Sequence, residues 1–322
     1  MRAVFILLLC AAVMPAQIRL GIIGTDTSHV SQFSKILNDS LSPDHVPGAI
    51  IVAAYKGGSP DVESSASRVN NFAEELRTKW KVKFYPDIPT LCKNVDAVLL
   101  ESVDGRVHLE QVKPVLAAHK PVFIDKPLAA TLADAREIAR LAKQSGTPWF
   151  SASSLRYGEI GTQMKSPNIQ GVVTWGPGPL EAHHQLDLSW YAIHPIELLY
   201  TLMGKGCVEV TRTVTEDADV ITGKWADGRV GTVRTERPYG EYGAVVFRTM
   251  PKDAKGNARV KVEQSTAKMA AGNSYRQLLV EIVKFFETKE PPVSNDETLE
   301  IFAFMDAAQR SKEAGGTPQK LR

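Results

Sequence analysis

The stretch that decides the fold is IRLGIIGTDTSHV, residues 18–30. Its apolar half predicts a buried strand and its polar half a turn into a helix, which is how a nucleotide-binding βαβ unit begins. In such a unit the fingerprint G-x-G-x-x-G permits a tight turn, close approach of the pyrophosphate and close packing of the helix on the strand. Gly24 takes the first of these positions, Asp26 the second and His29 the third.

Asp26 and His29 change what this turn can bind. A carboxylate at the second position repels a pyrophosphate, and both side chains fill space that the ligand and the helix otherwise share. One interpretation is an N-cap cluster at the start of a helix, without a ligand. The other is a modified ligand-binding turn that contacts its ligand through residues 24–29.

The first 16 residues have the layout of a secretory signal peptide. Arg2 is followed by a short apolar run up to Val13, and Ala16 offers a cleavage site. The run is too short to span a bilayer, and no other stretch is apolar enough to do so. We therefore expect a Sec-type signal peptide at residues 1–16, export to the periplasm or the extracellular space, and no membrane span after cleavage. A buried first strand is the alternative.

Length, charge and cysteine content limit the remaining possibilities. The 322 residues suffice for two domains with their own cores. Because 38 Lys and Arg nearly balance 36 Asp and Glu, nucleic acid is not an expected partner. Cys92 and Cys207 lie in different predicted domains, which favours buried free thiols over a disulfide.

Residues 17–152 alternate short apolar strands with amphipathic stretches, which predicts a Rossmann-like α/β domain with a parallel sheet. The predicted strands are 18–23, 49–54, 82–85, 95–100, 121–124 and 148–151, and the predicted helices are 28–38, 62–80, 106–119 and 132–145. A ligand in such a sheet lies beyond the carboxyl ends of the strands, where the strand order reverses. The segments expected there are 25–29, 55–59, 101–106 and 125–127.

Residues 153–322 are predicted to form a second domain, for substrate binding and oligomerisation. The expected elements are antiparallel strands at 171–175, 207–214, 220–225, 230–235 and 244–249, and helices at 188–203, 274–287 and 296–313. The last two helices should pack back on the first domain, and 251–272 reads as a loop. The predicted fold class is thus α/β plus α+β, with an open antiparallel sheet whose free face suits a homo-oligomer.

Two strand tips carry chemically distinctive residues. Tyr55 and Lys56 end the second strand where a ribose-binding carboxylate is expected, and Lys56 beside two glycines suits a phosphate; a solvated glycine turn is the alternative. Asp125 and Lys126 precede Pro127 at the end of a buried strand. Lys126 could hold a substrate hydroxyl or donate a proton, whereas a lone Asp-Lys-Pro is otherwise a surface turn.

A third cluster precedes and enters the predicted helix 188–203. His194 and Glu197 share a helical face, and so do Trp190 and His194. His194 can act as a general acid or base, and an aromatic neighbour such as Tyr191 can stack on a sugar ring. A satisfied core histidine is the alternative for His194. No metal is expected, because the spacing fits no strict motif; the alternative metal set is His183, His184, Asp187 and His194.

These motifs together resemble the Gfo/Idh/MocA family, named for glucose-fructose oxidoreductase, inositol dehydrogenase and a rhizopine-catabolism protein. The resemblance covers nearly the whole chain. The runs VDAVLL from Val95, LAAHKPV from Leu116 and DKP at 125–127 are similar to the family's strand, helix and Glu-Lys-Pro run. Residues 194–204 are similar to its catalytic helix, and residues 296–315 to its closing helix.

In that family a nicotinamide cofactor takes a hydride from a sugar or cyclitol while a lysine and a histidine handle the proton. The resemblance implies Lys126 and His194 as the catalytic pair, with Glu197 as a substrate or orienting group. The implied substrate contacts are Arg156, Tyr157, Trp190, Tyr191 and Glu197. The implied contacts of NAD(P), the expected cofactor, are Gly24, Thr25, Asp26, Thr27, Ser28, His29, Tyr55, Lys56, Ser102, Asp125 and Pro127.

The chain also departs from the family pattern, mainly at the cofactor. The glycine fingerprint and the ribose-binding acid are replaced, and Trp190 stands where the family has an Asp. Three functions therefore stay open for a carbohydrate-binding cleft. They are an NAD(P)-linked oxidoreductase, a cofactor-free or metal-assisted lyase, epimerase or hydrolase, and a non-catalytic carbohydrate-binding protein.

Overall fold

The computed structural model describes residues 17–271 and 275–322, which form two domains. The strands of the first domain are β1 (Ile18–Ile23), β2 (Ala49–Tyr55), β3 (Lys83–Phe84), β4 (Ala97–Leu100), β5 (Val122–Ile124) and β6 (Trp149–Phe150). They make one parallel sheet in the order β3-β2-β1-β4-β5-β6. The strand order reverses between β1 and β4, so the ligand crevice is expected beyond their carboxyl ends.

The helices of the first domain cover both faces of this sheet, as parallel sheets require. They are α1 (Ser28–Asn38), α2 (Glu63–Ala66), α3 (Val69–Thr78), α4 (Ile88–Cys92), α5 (His108–Ala117) and α6 (Leu132–Ser145). Thr27 caps α1 by accepting a hydrogen bond from the backbone N–H of His29, and Thr131 caps α6 through Asp134. Gly146 ends α6 in the left-handed conformation, with φ 66°.

The second domain is built on a seven-stranded sheet in the order β12-β11-β7-β10-β9-β8-β13. Its strands are β7 (Ile169–Pro177), β8 (Cys207–Val214), β9 (Ala218–Trp225), β10 (Val230–Glu236), β11 (Gly243–Met250), β12 (Arg259–Gln264) and β13 (Gln319–Lys320). The sheet is antiparallel as predicted except where β10 runs parallel to β7. The chain between them crosses the sheet before the meander β8-β9-β10 returns to β7.

The helices of the second domain are α7 (Glu159–Gln163), α8 (Ile193–Met203), α9 (Ala267–Ala271), α10 (Tyr275–Thr288) and α11 (Asn295–Glu313). Helix α8 packs on β7 and β10, while α11 packs on β8 and α6. Helix α10 returns to the first domain, where Leu278, Ile282 and Phe285 join the core formed by Val30 and Phe33. Both closing helices thus contact the first domain, α10 through this core and α11 through α6.

Three predicted elements differ from the structure. The predicted helix 62–80 is interrupted at Ser67 and Arg68, between α2 and α3, and Ser65 in α2 makes tertiary hydrogen bonds to the β2 tip and Asp26. The predicted helix 188–203 begins only at Ile193, with Pro195 in its first turn, a position that does not need an N–H donor. The predicted loop 251–272 contains β12 and α9. The sequence pattern does not indicate β12, because it is an edge strand in which Val260 and Val262 are exposed.

Some expectations lie outside what the structure describes. The signal peptide falls on residues 1–16, which are not among the described residues, so export stays a prediction. Among the described residues no helix is both long and apolar enough to cross a membrane. Cys92 and Cys207 are buried free thiols, as predicted.

Candidate active site

A cavity of about 390 Å³ opens between the two domains, beyond the carboxyl ends of β1, β4 and β5. Seven residues that the sequence singled out line it, namely Thr27, Ser28, His29, Lys126, Trp190, Tyr191 and His194. The other lining residues are Ser64, Arg68, Val103, Ser154, Leu155, Tyr239, Tyr242, Ala270 and Tyr275. The strand tips and the start of α8 therefore meet at one site, as the sequence predicted.

The opening turn has its first glycine for a steric reason. Gly24 has a φ of 90°, and a Cβ there would lie 2.4 Å from the backbone nitrogen of Ser102. The next two side chains turn inward. Thr25 donates a hydrogen bond of 3.1 Å to the carbonyl of Val69, and Asp26 is fully buried. Ser102 itself donates to Gln111 at 2.7 Å and does not line the cavity.

Asp26 joins the turn to two neighbouring loops. It accepts a hydrogen bond of 2.6 Å from the Ser65 hydroxyl and one of 3.1 Å from the backbone of Val103. Burial raises the pKa of its carboxyl group, although these two hydrogen bonds offset part of that effect. The Asp26 side chain is therefore structural in this conformation and does not face the cavity.

The β2 tip closes over the same turn. The backbone nitrogen of Thr25 donates to the carbonyl of Lys56 at 2.8 Å, and a Cβ at Gly57 would lie 3.1 Å from the Cα of Gly24. Tyr55 and Lys56 do not line the cavity. Residues 56–69 thus occupy the side of the turn where the adenosine half of a dinucleotide lies in a Rossmann fold.

The surroundings of the turn therefore differ between the two ends of a dinucleotide. The first turn of α1, at Thr27 and Ser28, faces the cavity and suits an anionic group. The cavity continues from there to Lys126 and has space for the nicotinamide end. On the side of the β2 tip, residues of the segment 56–69 pack on Gly24 and Thr25, while Ser64 and Arg68 of the same segment line the cavity.

Three buried side chains meet at the floor of the cavity. Nδ1 of His29 lies 2.7 Å from Oδ2 of Asp125 and 3.6 Å from Oε2 of Glu101. Burial alone lowers the pKa of His29, but the two carboxylates outweigh it and raise this pKa to about 9. Burial and the nearby Asp125 charge raise the pKa of Glu101 to about 7. His29 attracts Asp125 and lowers its pKa despite burial.

Lys126 follows Asp125 and reaches the cavity. Its ammonium nitrogen lies 5.4 Å from the centre of the Tyr191 ring, in cation–π geometry. Burial lowers the pKa of this lysine, and Asp125 offsets part of the shift. Pro127 is not a cavity residue, because its ring packs beneath Gly105.

His194 is held by a hydroxyl group. Its Nδ1 lies 2.7 Å from Oγ of Ser153, while Oγ also accepts a hydrogen bond of 3.2 Å from the backbone of Leu155. This contact fixes the imidazole ring and leaves Nε2 for a ligand. Burial, with Lys126 and His29 adding repulsion, lowers the pKa of His194 well below its usual value. The ring is therefore neutral at neutral pH and can accept a proton.

Glu197 and Arg156 lie behind this histidine rather than in the cavity. Glu197 accepts a hydrogen bond of 2.7 Å from the backbone of Ser153 and pairs with Arg156 Nε at 2.8 Å. Tyr157, also expected to contact substrate, does not line the cavity. Two roles were implied for Glu197, substrate contact and orientation. The structure supports orientation, because Glu197 positions Ser153, which in turn holds His194.

Aromatic rings form the wall opposite the Rossmann-like domain. Tyr191 contacts Tyr239 at 5.9 Å between ring centres, and His194 contacts Tyr242 at the same distance. Tyr239, Tyr242 and Arg68 also line the cavity, although the sequence did not indicate them. The two tyrosines follow β10 in a segment with no periodicity, although the closely spaced YGEY is an aromatic signal that could have marked it.

The alternative metal set does not assemble. His184 pairs with Asp104 at 3.0 Å, His183 with Glu181 at 2.6 Å, and Asp187 with Arg212 at 2.7 Å. His194 is held by Ser153 instead. Each of these residues thus has its own partner in a different place.

Comparisons with known proteins agree with this fold. Residues 18–152 match the Gfo/Idh/MocA model, described as an oxidoreductase family with an NAD-binding Rossmann fold. The expected family resemblance is confirmed, and the NAD(P) expectation is confirmed at the level of this domain type. No curated protein matches the chain.

Solved structures with this fold cover almost all of the chain, and two of them are inositol dehydrogenases. Myo-inositol 2-dehydrogenase from Lactobacillus plantarum is 16% identical, with a TM-score of 0.73, covering 95% of this chain and 100% of its own. Myo-inositol dehydrogenase from Lactobacillus casei, in complex with NAD(H) and myo-inositol, is 20% identical with a TM-score of 0.70, covering 95% and 97%. At these identities the likeness establishes the two-domain fold.

Proposed function

We propose that this chain, whose N-terminal domain belongs to the Gfo/Idh/MocA oxidoreductase family, is an oxidoreductase acting on a sugar, a cyclitol or a sugar derivative. One observation carries the proposal: Lys126 and His194 line the same cavity, at the strand-order reversal where this fold binds ligands. The two structural relatives described as inositol dehydrogenases support a polyhydroxylated substrate.

The side chains suit proton removal from a substrate hydroxyl. Neutral His194 accepts the proton at Nε2, while Ser153 holds the opposite ring nitrogen. The Lys126 ammonium donates a hydrogen bond to the same oxygen and stabilises the charge that develops there. Tyr191, Tyr239 and Tyr242 offer ring faces for the C–H surface of a sugar.

NAD(P), when bound, supplies the acceptor for the hydride that leaves the carbinol carbon. Of this chain's residues, Thr27 and Ser28 at the start of α1 would hold a phosphate. Because residues of the segment 56–69 pack on Gly24 and Thr25, we expect full entry of a dinucleotide to move this segment.

The closed β2 tip favours a second candidate on the same substrate class. A lyase, epimerase or hydrolase without a dinucleotide would use Lys126 and His194 for the same proton transfers and would not need that movement. A non-catalytic carbohydrate-binding protein is a third outcome.

Turnover assays with NAD+ and NADP+ on a panel of sugars, sugar acids and cyclitols test the leading proposal. We expect reduced cofactor to form with wild type, and Lys126→Ala and His194→Asn to lower kcat/KM by about 10²–10⁴-fold. The matched controls, exposed Lys143→Ala and His183→Ala, should keep wild-type turnover.

The outcomes separate the three candidates. Product formation without cofactor, lost in the same two variants, favours the second candidate. Ligand binding that persists in both variants, with no turnover by wild type, favours the carbohydrate-binding protein. No binding of NAD(P)H by fluorescence or thermal shift contradicts the cofactor part.

A further inference from the structure

We propose that His29, Glu101 and Asp125 bind a divalent metal ion at the floor of the cavity. One possible ligand atom from each, Nδ1 or a carboxylate oxygen, lies within 4.8 Å of the others. Within the described ranges, no other group of three such residues converges in this way. The proposal rests on this geometry and does not depend on the oxidoreductase reaction.

Beyond their charge interaction with His29, both carboxylates in this cluster keep buried oxygen atoms without a hydrogen-bond partner among the described residues. Glu101 is 0% exposed, and neither of its oxygens has a hydrogen-bond partner in the part of the chain that is described. Asp125 is 2% exposed, and its Oδ1 likewise has no hydrogen-bond partner among the described residues. Buried charged groups in proteins are normally hydrogen-bonded, paired or bound to a metal ion. A cation between them would satisfy both residues at once.

The His29 side chain also points towards these two carboxylates. His29 Nδ1 lies 2.7 Å from Asp125, but the contact lacks the alignment of a hydrogen bond. The ring is clamped by Phe33, stacked at 5.1 Å, and by Tyr275, edge-on at 5.0 Å. The neighbouring rings thus fix the direction in which Nδ1 points, as a metal-ligating imidazole requires.

The three residues come from rigid parts of the fold. His29 lies in the first turn of α1, Glu101 directly follows β4, and Asp125 directly follows β5. Strand ends and a capped helix hold ligands more accurately than free loops do. His29 lines the cavity, so the remaining coordination positions would open towards Lys126 and a bound ligand.

The donor set narrows the choice of metal. One imidazole nitrogen and two carboxylates suit Zn²⁺ or Mn²⁺, whereas Ca²⁺ prefers six to eight oxygen ligands. Three protein ligands with an open position are typical of catalytic zinc sites. Such an ion would bind a hydroxyl or carboxylate oxygen of the ligand in the cavity, which Lys126 also lines.

Calorimetric titration of the chelator-treated protein with ZnCl₂, without NAD(P) or substrate, tests the site. We expect binding of about one Zn²⁺ per chain, with affinity lowered more than about tenfold in the isosteric variants Glu101→Gln and Asp125→Asn. His183→Ala is the matched control, because this exposed histidine also lies beside a carboxylate but outside the cluster, and it should bind like wild type.

The result that overturns the proposal is absence of Zn²⁺ binding in wild type, or unchanged affinity in both variants. If circular dichroism shows that the variants do not fold, pulsed EPR of wild type with Mn²⁺ decides. Coupling to one histidine nitrogen supports the site, and its absence overturns it. Because no cofactor is present, failure here leaves the proposed oxidoreductase untouched, and failure of NAD(P) binding leaves the metal site untouched.

Discussion

The hydroxyl of Ser153 lies 2.7 Å from Nδ1 of His194, and the backbone of Ser153 is itself held by Glu197. This arrangement links a buried carboxylate to the imidazole through one residue. Ser153 and Glu197 are therefore positioning residues, while His194 is the member of this set that lines the cavity.

Replacing the hydroxyl should free the imidazole ring without charging it. In Ser153→Ala we expect two tautomers of neutral His194 in exchange, where wild type has one, because Nδ1 loses the partner that selects the tautomer. Long-range ¹H–¹⁵N NMR of histidine-labelled protein measures this. Ser166→Ala, at a partly exposed serine outside the cavity, is the control and should give the wild-type spectrum. A single unchanged tautomer in Ser153→Ala would show that the hydroxyl does not control the ring.

Burial of neutral His194 should make the fold weaker in mild acid. Its pKa in the folded protein lies well below the ordinary 6.5, so between those values the unfolded chain binds a proton that the folded chain does not. Stability therefore falls as pH drops below about 6.5. The free energy of unfolding of His194→Gln should depend less on pH between about 6.5 and 5 than that of wild type, as urea denaturation can measure. Exposed His183→Gln should keep the wild-type slope.

Part of this site follows from sequence alone. The strand, turn and helix at residues 18–38 were predictable from apolar periodicity and N-cap residues. The family resemblance implied that Lys126 and His194 act together, and both side chains line the cavity. Contacts over long sequence separation were not. The Asp26–Ser65 hydrogen bond joins residues 39 positions apart, and nothing in either local pattern indicates it.

The buried cluster of His29, Glu101 and Asp125 does not follow from the sequence, for a related reason. His29 was identified as a replaced glycine and Asp125 as part of the DKP motif, while Glu101 was only one residue of a strand-tip segment. Their convergence depends on the strand order β1-β4-β5 and on the inward orientation of the His29 side chain. Neither of these can be read from the local sequence.

The ion pair behind the cavity should contribute strongly to stability. Arg156 and Glu197 are almost completely buried, so Arg156→Ala leaves an unpaired carboxylate and should lower the free energy of unfolding by about 3–5 kcal/mol. Arg140→Ala breaks an exposed pair with Glu137 and should cost only about 0–1 kcal/mol. Urea denaturation at neutral pH compares them. If the two variants lose equally little unfolding free energy, water reaches the Glu197 carboxylate when Arg156 is absent.

The hydrogen bonds of Ser65 should hold the β2 tip closed against a dinucleotide. The Ser65 hydroxyl donates to Asp26 at 2.6 Å and accepts from the backbone of Ser59 at 2.7 Å. If NAD(P) entry moves residues 56–69, as we expect, weakening this contact by about 1 kcal/mol should tighten NAD(P)H binding roughly fivefold in Ser65→Ala. Fluorescence titration measures the change in Kd.

A matched variant separates this effect from general loosening of the segment. Ser67→Ala removes a hydroxyl only two residues away, which donates to the Glu63 carbonyl within the local helix and not to the opening turn. Its affinity for NAD(P)H should equal that of wild type. If Ser65→Ala binds no more tightly than Ser67→Ala, the segment does not limit entry. If neither variant nor wild type binds NAD(P)H, the cleft works without a dinucleotide, and the second candidate function gains.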